Sequence, residues 1–497
     1  RDAMRVGSAV FGIGISVSVA SLSASAFPNF LDKTTTFNNN RRSVPFSRLV
    51  DKTPAHCRRP LFCAAAPQAF ASEIELPQIK MKPGQLVQKP LTIDSAQGNA
   101  VALSDILQKE VPLHKVPAGL LSLCAIEPGL SLGVIGGMDG GPSAVETALS
   151  RLTQGLGNNR EEAIVRASVL GKSLAVPVRD GAIDLAASQE VYLVDNNSKV
   201  SGQRTIVATL VPGVDSKATS LPAPSRGCHI ITRKVTHLSD SSGGDFGLMN
   251  VCAKHSGCSL TINENADADV RTDLEAAFNR LVPEKKGDST RHANIKSTLV
   301  GPSITVPYDS RGSPQLGTWQ GVYLNEHASP HDHDDRSRSI TVTRLPSSAV
   351  AVQKTIRVTA PSRGCHAITD KVRAAIDDQL RKCTVGVVHV FIKHTSASLT
   401  FNDGIDAVQT GRLLEKALNH IVPEKWHHEF FQHTLEGPDD MTGHVKSTLF
   451  TAGCMLPVAD GDINIGGNEV YLCEHRNTGG WGGGHNRSIV ITLIGQA

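Results

Sequence analysis

A ten-residue segment, HTSASLTFND from His394 to Asp403, returns 139 positions earlier as HSGCSLTINE from His255 to Glu264. This duplication constrains the fold more than any other feature, because one sequence pattern must satisfy the same backbone twice. At a two-residue period His394, Ser396, Ser398, Thr400 and Asn402 share one face of an extended strand, and Thr395, Ala397, Leu399 and Phe401 share the other. One face can pack and the other is a row of ligating groups. An ordinary strand with a solvated polar face would read alike, but it would not recur. PSRGCH occurs at 224–229 and 361–366, LVPEKK at 281–286 answers IVPEKW at 421–426, and IKSTL at 295–299 answers VKSTL at 445–449. VYLNEH and RSITV close one copy, VYLCEH and RSIVI the other. Two homologous domains follow, at 219–346 and 353–497, each of ordinary domain size.

A third, degraded copy precedes them at 84–213. EVYLVDNN (190–197) and RTIVATL (204–210) match the closing strands, and the central strand falls on GLLSLCAIEPGLSLG (119–133). Its apolar side survives in Pro128, Leu130, Leu132 and Val134. Its polar side does not: Glu127, Ile164 and Asn196 stand where His394, His444 and His475 stand in copy 3. Such a domain is kept for assembly rather than chemistry. Gly213 to Pro222 and Ser347 to Gln353, with their Pro, Ser and Ala, read as linkers. Strand-like runs outnumber helical ones, such as Ala407 to Ile421, and do not alternate strictly with them. The expected class is α+β with mainly antiparallel strands and one or two helices per copy.

Charge and cysteine usage bear on partners and compartment. The formal charge of +3 comes from residues 1–72, which hold nine basic and three acidic side chains of the chain's 50 and 47. The body is near −3 with 4% aromatic residues in the chain, which argues against a nucleic-acid surface and leaves small ligands. Ten cysteines without a CxxC pair argue for a reducing compartment. Residues 1–28 carry Arg5 and then an apolar, Gly- and Ser-containing run, the pattern of a signal peptide; 29–72 are rich in Ser, Thr, Asn and Arg, like a transit peptide. Together they predict a plastid of secondary origin, with secretion as the alternative, and no membrane span in the mature form.

Titratable groups gather in three segments of copy 3: His394, His444 in GHVKST, and Glu474 with His475 in CEHR. Imidazoles from separate elements can converge on a divalent metal, leaving a position for water or substrate, or can act as acid and base. Between them LEGPDDMTGH supplies Asp439 and Asp440, hard oxygen donors suited to Mg2+. HASPHDHDD (327–335) reads as an exposed loop, and NTGGWGGGHN (477–486), without a Lys-Ser/Thr ending, as a hairpin loop rather than a phosphate loop.

HTSASLT, EGPDDM with HVKST, and VYLCEHR in copy 3, with HSGCSLTINENAD and GTWQGVYLNEH in copy 2, resemble the YjbQ family (UPF0047), labelled secondary thiamine-phosphate synthase. The resemblance implies a two-sheet α+β sandwich that trimerises. It implies an activity joining hydroxymethylpyrimidine diphosphate to thiazole phosphate with release of pyrophosphate. On that reading His394, His444 and His475, with Asp439 and Asp440, bind Mg2+ or another divalent metal, or His394, His444, His475 and Glu474 are catalytic. Ser396, Ser398, Asn402, Lys446, Arg476 and Arg487 bind substrate, the cations meeting the pyrophosphate. The copy 2 equivalents are His255, Ser259, Asn263, Glu326 and His327. The alternative is a module that binds a phosphate ligand or metal without turnover.

Three fused copies can form a pseudo-threefold ring in one monomeric chain. Copy 3 lacks the Trp319-Gln320 pair of copy 2, and copy 2 has Asn294 in place of His444. A site between copies would combine the histidines of copy 3 with Trp319 and Gln320 of copy 2.

Overall fold

A computed structural model describes residues 84–497 apart from 96–99, 138–140, 198–201, 223–224, 240–244, 286–287, 329–336 and 478–483. The leader segments, 1–28 and 29–72, lie outside the described residues, as do most of HASPHDHDD and of NTGGWGGGHN.

Copy 3 shows how each copy is built. Its larger sheet runs in the order Val350–Ala360, His485–Gln496, Val385–Ile392, Gly453–Ala459 and Asp462–Ile463; its smaller one runs Gly364–Ala367, Asn468–Glu474, Ala397–Asp403. All pairs are antiparallel. The alternation read from the sequence places Ala397, Leu399 and Phe401 against Val388, Val390 and Ile392 of the larger sheet, forming the sandwich core. Copies 1 and 2 repeat the arrangement with sheets of five and three, and of four and three, strands.

Register and matched contacts align the copies. Ser131, Ser259 and Ser398 occupy one position, bonded to Asn196, His327 and His475 respectively. A helix at equivalent position in each copy, Asn159–Leu170, Ser289–Val300 and Asp440–Phe450, covers the polar face of its own central strand. The other side of each helix packs on the central strand of a neighbour: copy 3 on copy 2, copy 2 on copy 1, and copy 1 on copy 3. Every residue of Asp440–Phe450 is buried, so this helix has no solvent face and no amphipathic period. Amide side chains run around the same circuit. Gln189 Nε2 donates to Ala253 O and His255 O, Gln320 Nε2 to Ile392 O and His394 O, and Asn468 Nδ2 to Ile126 O. Leu120, Val211, Leu248, Leu345, Val387, Met455 and Ile494 from all three copies form a shared apolar cluster.

Two expectations are corrected. Among the described residues each copy carries three α-helices, and copy 3 a further four-residue one, rather than one or two. The segments read as linkers are mostly strand: Asp215–Pro222 pairs with Ser337–Pro346, and Val350–Ala360 with His485–Gln496. Copies 2 and 3 therefore begin before 219 and 353. Both strands are sheet edges, where Pro and Ser are tolerated because one side of the backbone is unpaired.

Asn263 Nδ2 donates to His444 O at 2.9 Å and Thr448 Oγ1 at 2.8 Å across the copy 2/copy 3 boundary. Asn402 does the same with Ile164 O and Ser168 Oγ across the copy 3/copy 1 boundary. Copy 1 has Ile135 at that register position. Asn263→Ala should destabilise the chain by about 1–3 kcal/mol, since two buried partners lose their donor; urea unfolding measures it, and a change below about 0.5 kcal/mol contradicts it.

Candidate functional site

The charged end of the all-buried helix meets the end of the neighbour's strand. His444, one turn into the helix, directs Nδ1 to Thr395 O at 3.1 Å. A carbonyl can only accept, so Nδ1 carries the proton and Nε2 presents its lone pair. That Nε2 lies 3.2 Å from Glu264 Oε2 of copy 2 and 3.6 Å from Asp440 Oδ2, in poor alignment for a hydrogen bond, and it is buried without another partner. His433 completes the group: its Nε2 is 2.8 Å from Asp440 Oδ2 and its Nδ1 2.7 Å from Asp267 Oδ2 of copy 2. Asp273 of copy 2 accepts the N–H groups of Gln432 and His433, holding this loop against the strand. Ligand atoms of Glu264, His433 and His444 lie within 4.8 Å of one another. An unpaired imidazole nitrogen facing a carboxylate, with its ring fixed by a carbonyl, can hold a divalent metal.

This group differs from the expected ligand set. Of His394, His444 and His475, only His444 joins the group. His475 is fully buried inside copy 3, with Nε2 on Ser398 Oγ at 2.9 Å. His394 lies at the rim beneath Gln320, its Nδ1 accepting from Ser396 N at 3.0 Å. Asp440 sits between the two imidazoles and also meets Ser396 Oγ and Arg476; Asp439 instead accepts from Asn477 N. His433 and Glu264 were missed. His433 belongs to a loop that copy 2 lacks, so no repeat drew attention to it. Glu264 closes the copy 2 motif, but its role depends on a partner from another copy.

The expected anion-binding cations are committed elsewhere. Lys446 is two residues beyond His444, about 200° around the helix, and is enclosed with Nζ on Asn419 Oδ1 at 2.7 Å. Lys296 makes the matching contact with Asn279 in copy 2. Burial lowers each ammonium to about 8. Arg487 forks onto buried Glu474 at 2.6 and 2.8 Å, as Arg338 pairs with Glu326 in copy 2. Arg476 spans Glu436, Asp439 and Asp440. Asn402 is at the copy 3/copy 1 boundary, away from the group. Trp319 is 61% exposed, while Gln320 links copy 2 to the backbone of His394. In copy 2, His255 Nδ1 accepts from Gly257 N, and Ser259 and His327 pair internally.

Among the described residues the other boundaries lack the group. Between copies 1 and 3 the matching residues are Ile164 and Asp403, and Arg160 Nη2 takes the carboxylate at 2.5 Å. Between copies 2 and 1 they are Asn294 and Gly136, where a Cβ on the glycine would meet Ser256 at 2.7 Å and Asn294 at 3.1 Å.

Burial pushes His394 and His389 down to about 3, and His327 and His475 well below the usual imidazole range. The fold thus accommodates neutral rings. An unfolded histidine takes its proton near pH 6.5 and the folded His389 only near 3, so stability present above pH 6.5 is lost as pH falls between these values. The slope is about 1.4 kcal/mol per pH unit for each ring. Urea unfolding at pH 7.5 and 5.0 should show this loss, and His389→Phe should remove one ring's share. A pH-independent midpoint would contradict it.

Repeated two-sheet α+β sandwiches, with a His/His/carboxylate group shared between copies, define the class. The UPF0047 protein YjbQ-like family model matches residues 217–347 and 354–496, and the chain belongs to that family. UPF0047 protein YjbQ of Escherichia coli O157:H7 is 37% identical over 145 residues, 29% of this chain and 98% of that protein. UPF0047 protein sll1880 of Synechocystis sp. is 40% identical over 119 residues, 22% of this chain and 80% of that protein. A crystal structure from Clostridium acetobutylicum, described as an uncharacterized conserved protein of the yjbq/upf0047 family, shares 32% identity. It covers 26% of this chain and 99% of its own, with a TM-score of 0.23. None of these descriptions names an activity. No helix among the described residues is long and apolar enough to cross a membrane.

Proposed function

We propose that the copy 2/copy 3 boundary is a single metal-dependent site for a small phosphorylated substrate, with the family-like transfer of a hydroxymethylpyrimidine from its diphosphate to thiazole phosphate as its reaction. The observation that carries this reading is the buried, unpaired Nε2 of His444 facing Glu264 and Asp440, with His433 alongside. Two imidazoles with carboxylate suit zinc better than Mg2+, which prefers oxygen ligands and water. When bound, the metal supplies the positive charge that a diphosphate requires. Gln320 orients the His394 backbone, and neutral His394, whose Nδ1 accepts from Ser396 N, carries its proton on Nε2 as a hydrogen-bond donor for a substrate oxygen.

A specific observation favours a second reading, binding without turnover: Lys446, Arg476 and Arg487 are already paired or enclosed, so no free cation from that set faces a leaving group. The test is complementation of a strain lacking its own thiamine-phosphate synthase, alongside metal analysis. We expect about one divalent ion per chain and growth that His444→Ala abolishes. Metal without growth supports the binding module; growth undiminished in His444→Ala overturns the site, and neither metal nor growth overturns both. We further propose that the processed chain is a monomer with internal pseudo-threefold symmetry, delivered to a plastid by residues 1–72. A trimer of chains in light scattering contradicts the monomer.

A further inference from the structure

On copy 3, residues 359–368 and the helix Ala407–Ile421 enclose a groove of about 700 Å3, a size usual for small-molecule sites. Arg363, Lys371, Arg412 and Lys416 line it against one carboxylate, Glu415. Glu415 is already taken by Arg363 Nε at 2.8 Å. Lys416 donates to Leu156 O, which supplies no opposing charge. Lys371 and Arg412 are exposed and make no hydrogen bond or ion pair among the described residues. Arg412 and Lys416 are one turn apart, a spacing at which like charges destabilise a helix unless an anion intervenes. Pro361, Ile368, Ala407 and Val408 supply an apolar wall, and Val408 is 65% exposed.

Copy 2 gives an internal comparison. Arg226 binds Glu275 and Asn279 as Arg363 binds Glu415 and Asn419, which fixes the alignment of the two helices. Thr272 and Ala276 then stand where copy 3 has Arg412 and Lys416, and Arg271 stands where copy 3 has Gly411. A Cβ at Gly411 would lie 2.2 Å from Cys365 O, so the absence of a side chain lets this helix close onto the strand beneath it. Arg412 and Lys416 are therefore particular to copy 3 and are not demanded by the shared sandwich, whereas Arg363 and Lys371 have counterparts in Arg226 and Lys234 of copy 2.

We propose that this groove binds a small organic di- or triphosphate, with its phosphates against Lys371, Arg412 and Lys416 and its ring against Val408 and Pro361. The site uses none of Glu264, His433 and His444 and is independent of the function proposed above. Calorimetry with the full chain, using ADP in low salt with a chelator present, should show about one equivalent bound. The double variant Arg412→Thr, Lys416→Ala, which installs the copy 2 residues, should weaken binding about tenfold or more, because two charge-assisted phosphate contacts go. Lys371→Ala should weaken it as well, and His444→Ala should leave it unchanged, with thermal unfolding confirming that each variant is folded. Absence of binding, unchanged affinity in the double variant, or loss in His444→Ala alone overturns the proposal. Inorganic pyrophosphate binding as tightly as ADP overturns the role of the apolar wall.

Discussion

Glu264→Gln, a change confined to copy 2, should abolish metal loading of the full chain and cut turnover or ligand affinity about 100-fold or more, although both histidines of the group belong to copy 3. The expectation follows from the 3.2 Å approach of Glu264 Oε2 to His444 Nε2 across the boundary. An amide retains the shape but not the charge that offsets the ion. Asp403→Asn is the internal control. Asp403 holds the equivalent register position at the copy 3/copy 1 boundary, where it faces Arg160 and Ile164 rather than histidine, so it should leave the metal content unchanged. His444→Ala should match Glu264→Gln, because both damage one centre. Trp319→Ala should differ from both, acting on KM and not on metal content, since the ring stands exposed at the rim. An isolated copy 3, 347–497, lacks Glu264, Asp267 and Asp273; full activity in that fragment would defeat the shared site.

Glu474→Ala should destabilise the chain by about 3–5 kcal/mol, because it leaves the nearly buried Arg487 guanidinium without its carboxylate. Two charge-assisted bonds, at 2.6 and 2.8 Å, disappear together. The corresponding pair in copy 1, Arg204 and Asp195, is more exposed, at 17% and 8% of the side chains, so Asp195→Ala should cost less. Denaturant unfolding of the two variants orders them; equal losses would mean that burial does not govern the effect. Replacing Glu474 and Arg487 together by apolar residues should recover much of the loss, since no charge then remains desolvated.

Much of the architecture was legible because β alternation is local. Ala397, Leu399 and Phe401 had to share a face, and they line the core. The spacing of Leu413, Leu414, Ala417 and Leu418 marked the helix Ala407–Ile421 for the same reason. The edge strands Asp215–Pro222 and Val350–Ala360 were hidden by linker-like composition, because an edge can carry residues that a central strand rejects. Asp440–Phe450 was hidden differently: enclosed by its own copy and a neighbour, it has no polar face to reveal its period.

The sequence by itself determined the threefold repetition, the sandwich pattern and the loss of polar groups from copy 1, since each is written in spacing along the chain. It also singled out His444 and Asp440. Only the tertiary structure decided that His475 turns inward to Ser398, that Lys446 faces Asn419, and that Glu264 and His433 meet His444. The physical reason is that repeats identify equivalent positions within copies, whereas this group joins non-equivalent positions from two of them. His444 and Glu264 are 180 residues apart in the chain and 3.2 Å apart at the boundary, a proximity that packing creates and local periodicity does not encode.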